Sequence, residues 1–180
     1  MTSLIEIQRN KSSEPVSMSY MRNYEVYAAA ALLGALAGMR SMAAPAVLGQ
    51  LSRKGALTEV TGPLALVTSS KFAPAAGVMA VGEFVADKLP FTPNRTAAGP
   101  LLGRALTGGV SGAVICSAKK RSAWAGALIG AAAAVGAAYG AYYLRKEAGK
   151  NLHIPDAILG LGEDAIVGTL GAALASRLGS

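Results

Sequence analysis

Residues 122–144 read SAWAGALIGAAAAVGAAYGAYYL, 23 residues without an Asp, Glu, Lys or Arg, held between Lys119-Lys120-Arg121 and Arg145-Lys146. A helix rises about 1.5 Å per residue, so this run covers the roughly 30 Å hydrocarbon core of a bilayer. Inside that core an unpaired backbone group is expensive, and a helix or a closed barrel is the viable spanning structure. Trp124 near one end and Tyr139, Tyr142 and Tyr143 near the other place amphipathic rings at the two headgroup levels. The competing reading, a buried Ala-rich helix of a soluble protein, fits poorly, because such helices are usually shorter and keep a polar face.

Working outward, the 180 residues suit one domain, and 37 Ala with 22 Gly make up a third of them. In lipid the hydrophobic effect no longer drives helices together, so close van der Waals packing must, and small residues permit it. Gly pairs four apart occur at Gly34/Gly38, Gly99/Gly103, Gly108/Gly112, Gly126/Gly130 and Gly136/Gly140. Of these, Gly34, Gly38, Gly126, Gly130, Gly136 and Gly140 are the candidate packing positions, within the bundle or in a homo-oligomer. The net charge of +7 sits in short clusters between apolar runs, the pattern of loops facing anionic headgroups, and no aromatic-interleaved basic stripe suggests nucleic acid. One Cys (Cys116) and one His (His153) exclude an intrachain disulfide framework, a zinc cluster and a Cys/His nucleophilic pair. Cys116 lies in an apolar run and reads as a packing residue.

Residues 1–23 are polar and form a flexible N-terminal tail in this reading, ahead of an integral membrane domain over residues 24–178; a cleaved leader fits less well, because Glu6 and Glu14 interrupt it. A first span runs from about residue 24 to 46, with Arg40 in its second half and Pro45 marking a kink or an end. Lys71 then divides two uncharged stretches of 11 residues each, 60–70 and 72–82, so a broken helix or re-entrant hairpin fits as well as one long span. Residues 96–118 form a further apolar run carrying Arg104, the 122–144 run follows after a very short basic turn, and a last element begins after Pro155 and reaches about Ser176. The expected architecture is an all-α, polytopic bundle of four to five Ala/Gly-packed spans. Its orientation is weakly set, since both sides carry basic residues. A faint repeat is visible: Leu32-Leu33-Gly34 recurs as Leu101-Leu102-Gly103, followed respectively by Gly82-Glu83 and Gly162-Glu163. A true duplication would bring two related halves to a midplane site.

Ionisable groups interrupt these spans at Arg40, Lys71, Glu83, Asp87, Lys88, Arg104, Glu163 and Asp164. Each charge at the bilayer centre costs about 2.5–3.5 kcal/mol even on the lenient insertion scale, so the groups must pair or line a hydrated cavity. Glu83 and Asp87, four apart, would share one helix face before Pro90 ends the helix. Glu163 and Asp164 are adjacent and diverge by about 100° on a helix. Glu83, Asp87, Glu163, Asp164, Arg40 and Arg104 are therefore the candidate intramembrane polar site, with Lys71 and Lys88 secondary; structural ion pairs and an ion or proton pathway both fit. Arg40 could instead snorkel to the interface. There is no catalytic signature, and the stretch from Gly99 to Arg104 lacks the Lys-Ser/Thr ending of a phosphate loop, so neither an enzyme nor a cofactor or metal is expected.

The Gly38-Met39-Arg40 end of the first span, the segment GEFVADKLP over residues 82–90, Gly99-Pro100 opening the next span and Glu163-Asp164 in the last resemble a bacterial family of small multi-pass membrane proteins known only as a domain of unknown function. Glu-x-x-x-Asp-Lys-x-Pro is the most specific piece. The resemblance implies an all-helical bundle in the membrane, the inner membrane of a bacterium, and supplies no substrate. From the sequence the leading functional expectation is a transporter-like or channel-like protein for a small ion, proton or solute. The alternative is a non-transporting structural or interaction protein assembled through glycine-zipper packing. If lipid is the solvent of these helices, alkaline carbonate washing of membranes should leave the chain in the pellet, and it should stay monodisperse only in detergent.

Overall fold

The computed structural model describes residues 16–57, 60–69, 72, 74–75, 78, 98–152 and 156–178. They form α1 (Val16–Met39), α2 (Ala43–Arg53), a 3-10 helix (Gly62–Thr68), α3 (Ala98–Ala118), α4 (Ala123–Leu152) and α5 (Asp156–Leu178), with no strand among the described residues. Three stretches are long and apolar enough to cross a membrane, Ala98–Ala118, Ala123–Gly149 and Ile158–Leu178. Large apolar side chains stand on the outside: Trp124 is 82% exposed, Leu144 73% and Leu128 71%. A surface of that kind is a liability in water and ordinary in lipid. These features are those of an all-helical membrane protein.

The centre of the bundle is a backbone contact among α1, α3 and α4. A Cβ built on Gly34 or on Gly108 would collide with the Gly130 carbonyl, and one on Gly130 would collide with that of Gly108. Gly112 and Gly126 block one another in the same reciprocal way, and Gly38 lies against Ala134. Because 108 faces 130 and 112 faces 126, α3 and α4 run antiparallel; because 34 faces 130 and 38 faces 134, α1 runs parallel to α4. Residues 119–122 connect α3 to α4, and Lys120 adopts the left-handed φ of 54° as the chain caps α3, its N–H donating to Ser117 and that of Arg121 to Cys116. Leu33, Leu36, Ile115 and Cys116 fill the space beside the glycine contacts, all of them buried.

Several expectations change here. Helix α1 starts at Val16, inside the stretch assigned to the polar tail. The first span does not run through Arg40 to Pro45: α1 ends at Met39, the chain bends over Arg40–Met42, and a new helix begins at Ala43. Pro45 sits in the first turn of α2, where a backbone N–H has no intrahelical acceptor, so it starts this helix rather than ending the previous one. The bend brings Leu36 and Val47, from either side of it, to the same Gly171 of α5. Gly136 and Gly140 carry the same spacing as Gly126 and Gly130, yet a Cβ on either meets nothing within 4 Å. Gly103, the counterpart of Gly34 in the faint repeat, is equally open.

Substitution should separate these glycines. Overpacking a filled core costs about 1–3 kcal/mol where side chains can give way, and at Gly130 the obstacle is the backbone of α3 at Gly108 and Gly112. Gly130→Leu should therefore lower the thermal stability and folded yield of the detergent-purified chain, judged by the monodisperse fraction surviving heating, whereas Gly136→Leu should leave both nearly unchanged.

Candidate functional site

Adjacent carboxylates on α5 point to different neighbours, as their helical offset requires. Asp164 accepts from Arg40 in the bend between α1 and α2, with Nε at 2.7 Å and Nη2 at 2.5 Å from Oδ1. Glu163 accepts from Nη2 of Arg145 on α4. All four side chains are largely withdrawn from the surface, at 11% and 22% exposed for Arg40 and Asp164, and 19% and 10% for Arg145 and Glu163. Gly160, one turn before Asp164, leaves room for the Arg145 guanidinium, whose Nη2 would lie 3.4 Å from a Cβ there.

Beside the Arg40–Asp164 bridge a cleft of about 300 Å³ opens between α2 and α5, lined by Arg40, Ala43, Ala46, Val47 and Gln50 on one side and Asp164, Val167, Gly168, Gly171 and Ala172 on the other. The second carboxylate oxygen, Asp164 Oδ2, is shielded from solvent and has no hydrogen-bond partner among the described residues. The cleft thus has a charge-balanced polar floor, one carboxylate oxygen with unused acceptor capacity, the Gln50 amide, and walls of small apolar residues. A site of this kind can accept a hydrogen bond from a further donor at Asp164 Oδ2. Among the described residues no three of His, Cys, Asp and Glu gather as a metal site would need.

Of the residues singled out in the sequence, Arg40 and Asp164 are brought together. Glu163 is placed beside them on α5 but paired elsewhere. Arg104 is buried at 5% exposure on α3, which does not pack against α5, so it stands apart from Glu163 and Asp164. Glu83, Asp87, Lys71, Lys88 and His153 lie outside the described residues. Two participants were missed. Arg145 reads in the sequence as a flanking interfacial cation, yet 145 and 163 are equidistant from 154, so folding α4 and α5 into a hairpin sets them opposite each other. Gln50 gave no signal, being one amide in an uncharged run whose helix was expected to end earlier.

Comparison with family models returns one described as a domain of unknown function (DUF4126), matching residues 27–151. The matched region holds Arg40, the glycine contacts and Arg145, and ends before α5 with its Glu163 and Asp164. No curated protein and no solved structure matched the chain.

Removing one member of a buried ion pair strands the other, at a cost of about 3–5 kcal/mol, whereas an apolar replacement of both is close to neutral. Arg145→Leu should accordingly destabilise the purified chain far more than Arg145→Leu combined with Glu163→Leu, measured as the midpoint of thermal unfolding in detergent.

Proposed function

We propose, for a chain that belongs to the family described as a domain of unknown function (DUF4126), that it moves a proton, a small ion or a small solute across a membrane, with the bend between α1 and α2 as its polar site. The observation that carries this reading is the Arg40–Asp164 bridge at a helix break, bordering a cleft of about 300 Å³. Small transporters commonly place substrate contacts where membrane helices are interrupted, because irregular backbone at membrane depth is tolerated only beside protein or a water-filled cavity. In this reading α1 is a fourth span, α2 is a half-length return segment, and the protein resides in a bacterial inner membrane. Asp164 is the group that accepts and releases the moving species, and Arg40 is its partner between transfers.

A second reading, a non-transporting structural bundle, is favoured by one specific feature: Glu163 and Asp164 are each met by a different arginine. In that case the bridges do nothing but hold α5 in place.

Reconstituted vesicles distinguish the two. With a trapped pH-sensitive dye, and in parallel with imposed Na⁺ and K⁺ gradients, vesicles holding the protein should dissipate at least one gradient several-fold faster than protein-free vesicles. Asp164→Asn should abolish that flux while preserving the folded yield. Absence of flux for all three ions would sink the proton and cation reading, and loss of fold in Asp164→Asn together with flux would assign the bridge to structure.

A further inference from the structure

The bend at Arg40 decides which charges share an end of the molecule. Helix α5 runs opposite to α1, since Arg40 meets Asp164 while Leu36, earlier on α1, meets Gly171, later on α5. Helix α2 runs with α5: after Arg40 and Asp164 comes Val47 against Gly171, and then Lys54, whose Nζ donates to the Ala175 carbonyl at 3.3 Å. The chain therefore turns back at Arg40, and the 11 residues of α2 carry it about 16 Å toward the end where α1 begins. The register of Gly34 with Gly130 puts Arg53 and Lys54 at the height of about Ala125, in the first turn of α4. Arg177, about 9 Å past Gly171 along α5, reaches the same height by a separate route. The turn Lys119-Lys120-Arg121 lies about 10 Å farther out, beyond Gly112, which faces Gly126.

Arg53, Lys54, Lys119, Lys120, Arg121 and Arg177 thus gather at one end, all exposed except the half-buried Arg121, and Arg22 lies on α1 at the height of the turn. Among the described residues the acid at this end is Glu25. At the other end α4 and α5 carry Arg145, Lys146 and Lys150 against Glu147, Asp156 and Glu163, so the charge there cancels. Two observations place the basic end at a membrane surface. Trp124 and Tyr24 stand at its height, 82% and 76% exposed, and amphipathic rings on the outside of a bundle belong at the headgroup level. The stretch of α4 from Gly126 to Arg145 is about 28 Å long, close to the thickness of a hydrocarbon core, so the two charged ends are spaced as the two faces of one bilayer. At such a boundary Lys and Arg lay their methylenes along apolar surface and extend their cations to the phosphates.

We propose that this end is a docking surface for the headgroups of anionic phospholipids and faces the anionic cytoplasmic leaflet, with the start of α1 and the α3–α4 turn on the cytoplasmic side. A zwitterionic headgroup brings its own cation and gains little from the cluster, whereas a phosphodiester without one gains from every Lys and Arg within reach. The inference needs the bundle to lie in a membrane and is independent of transport through the Arg40–Asp164 cleft.

Trp124 is the single tryptophan of the chain and stands one turn after Lys120, so it reports on the lipid beside the turn. With the full chain in phosphatidylcholine vesicles holding a minor share of lipid brominated on its acyl chains, brominated phosphatidylglycerol should quench Trp124 more strongly than the same share of brominated phosphatidylcholine. A basic residue near an anionic surface is worth roughly fivefold in local concentration, so Lys119→Gln combined with Lys120→Gln should remove most of that preference. Both side chains are exposed, and monodispersity in detergent checks that the double variant is folded. For orientation, Ser122→Cys and Gly149→Cys are made beside the buried Cys116, with wild type as the blank; a Cβ at Gly149 meets nothing within 4 Å. In intact spheroplasts a membrane-impermeant maleimide should label Gly149→Cys and should reach Ser122→Cys only after lysis. Equal quenching by the two brominated lipids in wild type, an undiminished preference in the double variant, or labelling of Ser122→Cys in intact spheroplasts would each overturn the proposal.

Discussion

The backbones of three helices touch at Gly34, Gly108 and Gly130, and this contact decides where the remaining elements can stand. Hydrocarbon offers no hydrophobic reward for bringing helices together, so attraction must come from dispersion between closely approached surfaces. A side chain at any of the three positions would hold two backbones apart. The contact also sets heights along the bundle. With Gly34 and Gly38 locked beside residues 130 and 134 of the parallel α4, Arg40 emerges just past the contact, and Arg145 emerges further along the same direction. Both arginines then face α5, which lies outside the glycine contact.

That helix, α5, is held by a different kind of interaction. Gly171 packs on Val47 and Leu36, Lys54 reaches the Ala175 carbonyl with Nζ at 3.3 Å, and the two arginine bridges bind Glu163 and Asp164. Charge pairs in a low-dielectric setting contribute little net stability, since desolvation offsets most of the Coulomb gain. They are strict about position, however, because a slip of one residue along α5 would turn both carboxylates away from their arginines by about 100°. The central trio therefore supplies close packing, and the bridges supply the register of α5.

Much of the trio was legible in the sequence, and the reason is length. A charge-free run of 23 residues closed by Lys-Lys-Arg marks both the end of α3 and the start of α4 without reference to anything distant. The four-residue spacing also marked Gly34, Gly38, Gly126 and Gly130 as a face. The same spacing marked Gly136 and Gly140, which face open space, because periodicity identifies a face and says nothing of what lies opposite it. The bend at Arg40 was hidden for a related reason: Met39-Arg40-Ser41-Met42 contains neither Gly nor Pro, and the nearest proline belongs to the helix that follows. Arg40 and Asp164 were conspicuous as charges in apolar surroundings, but their pairing depends on that bend and could not be read before it was known. Arg145 was the opposite case, ordinary as a flanking cation and recoverable only by counting outward from residue 154, midway between it and Glu163.

The bend has one more consequence for where chemistry can occur. Helix α2 has 11 residues, about 16 Å, half of what a bilayer requires, so it is too short to cross one. Interior helix ends are tolerated only if their backbone groups find partners. At its start the Ala43 N–H donates to the Arg40 carbonyl at 3.0 Å and that of Ala46 to Met42 at 3.0 Å; at its end Gly55 donates to Ser52 and Ala56 to Leu51, both at 3.0 Å. With its termini satisfied by its own flanking residues, α2 can serve as a wall inside the bundle. One face of it meets α5 across the Arg40–Asp164 cleft, and another, carrying Pro45 and Leu48, meets Leu106 and Val110 of α3 across a second, mainly apolar space, so a single short helix separates a charge-balanced space from an oily one. Any movement of α2 would change both spaces together, since the residues that border them alternate along the same two turns.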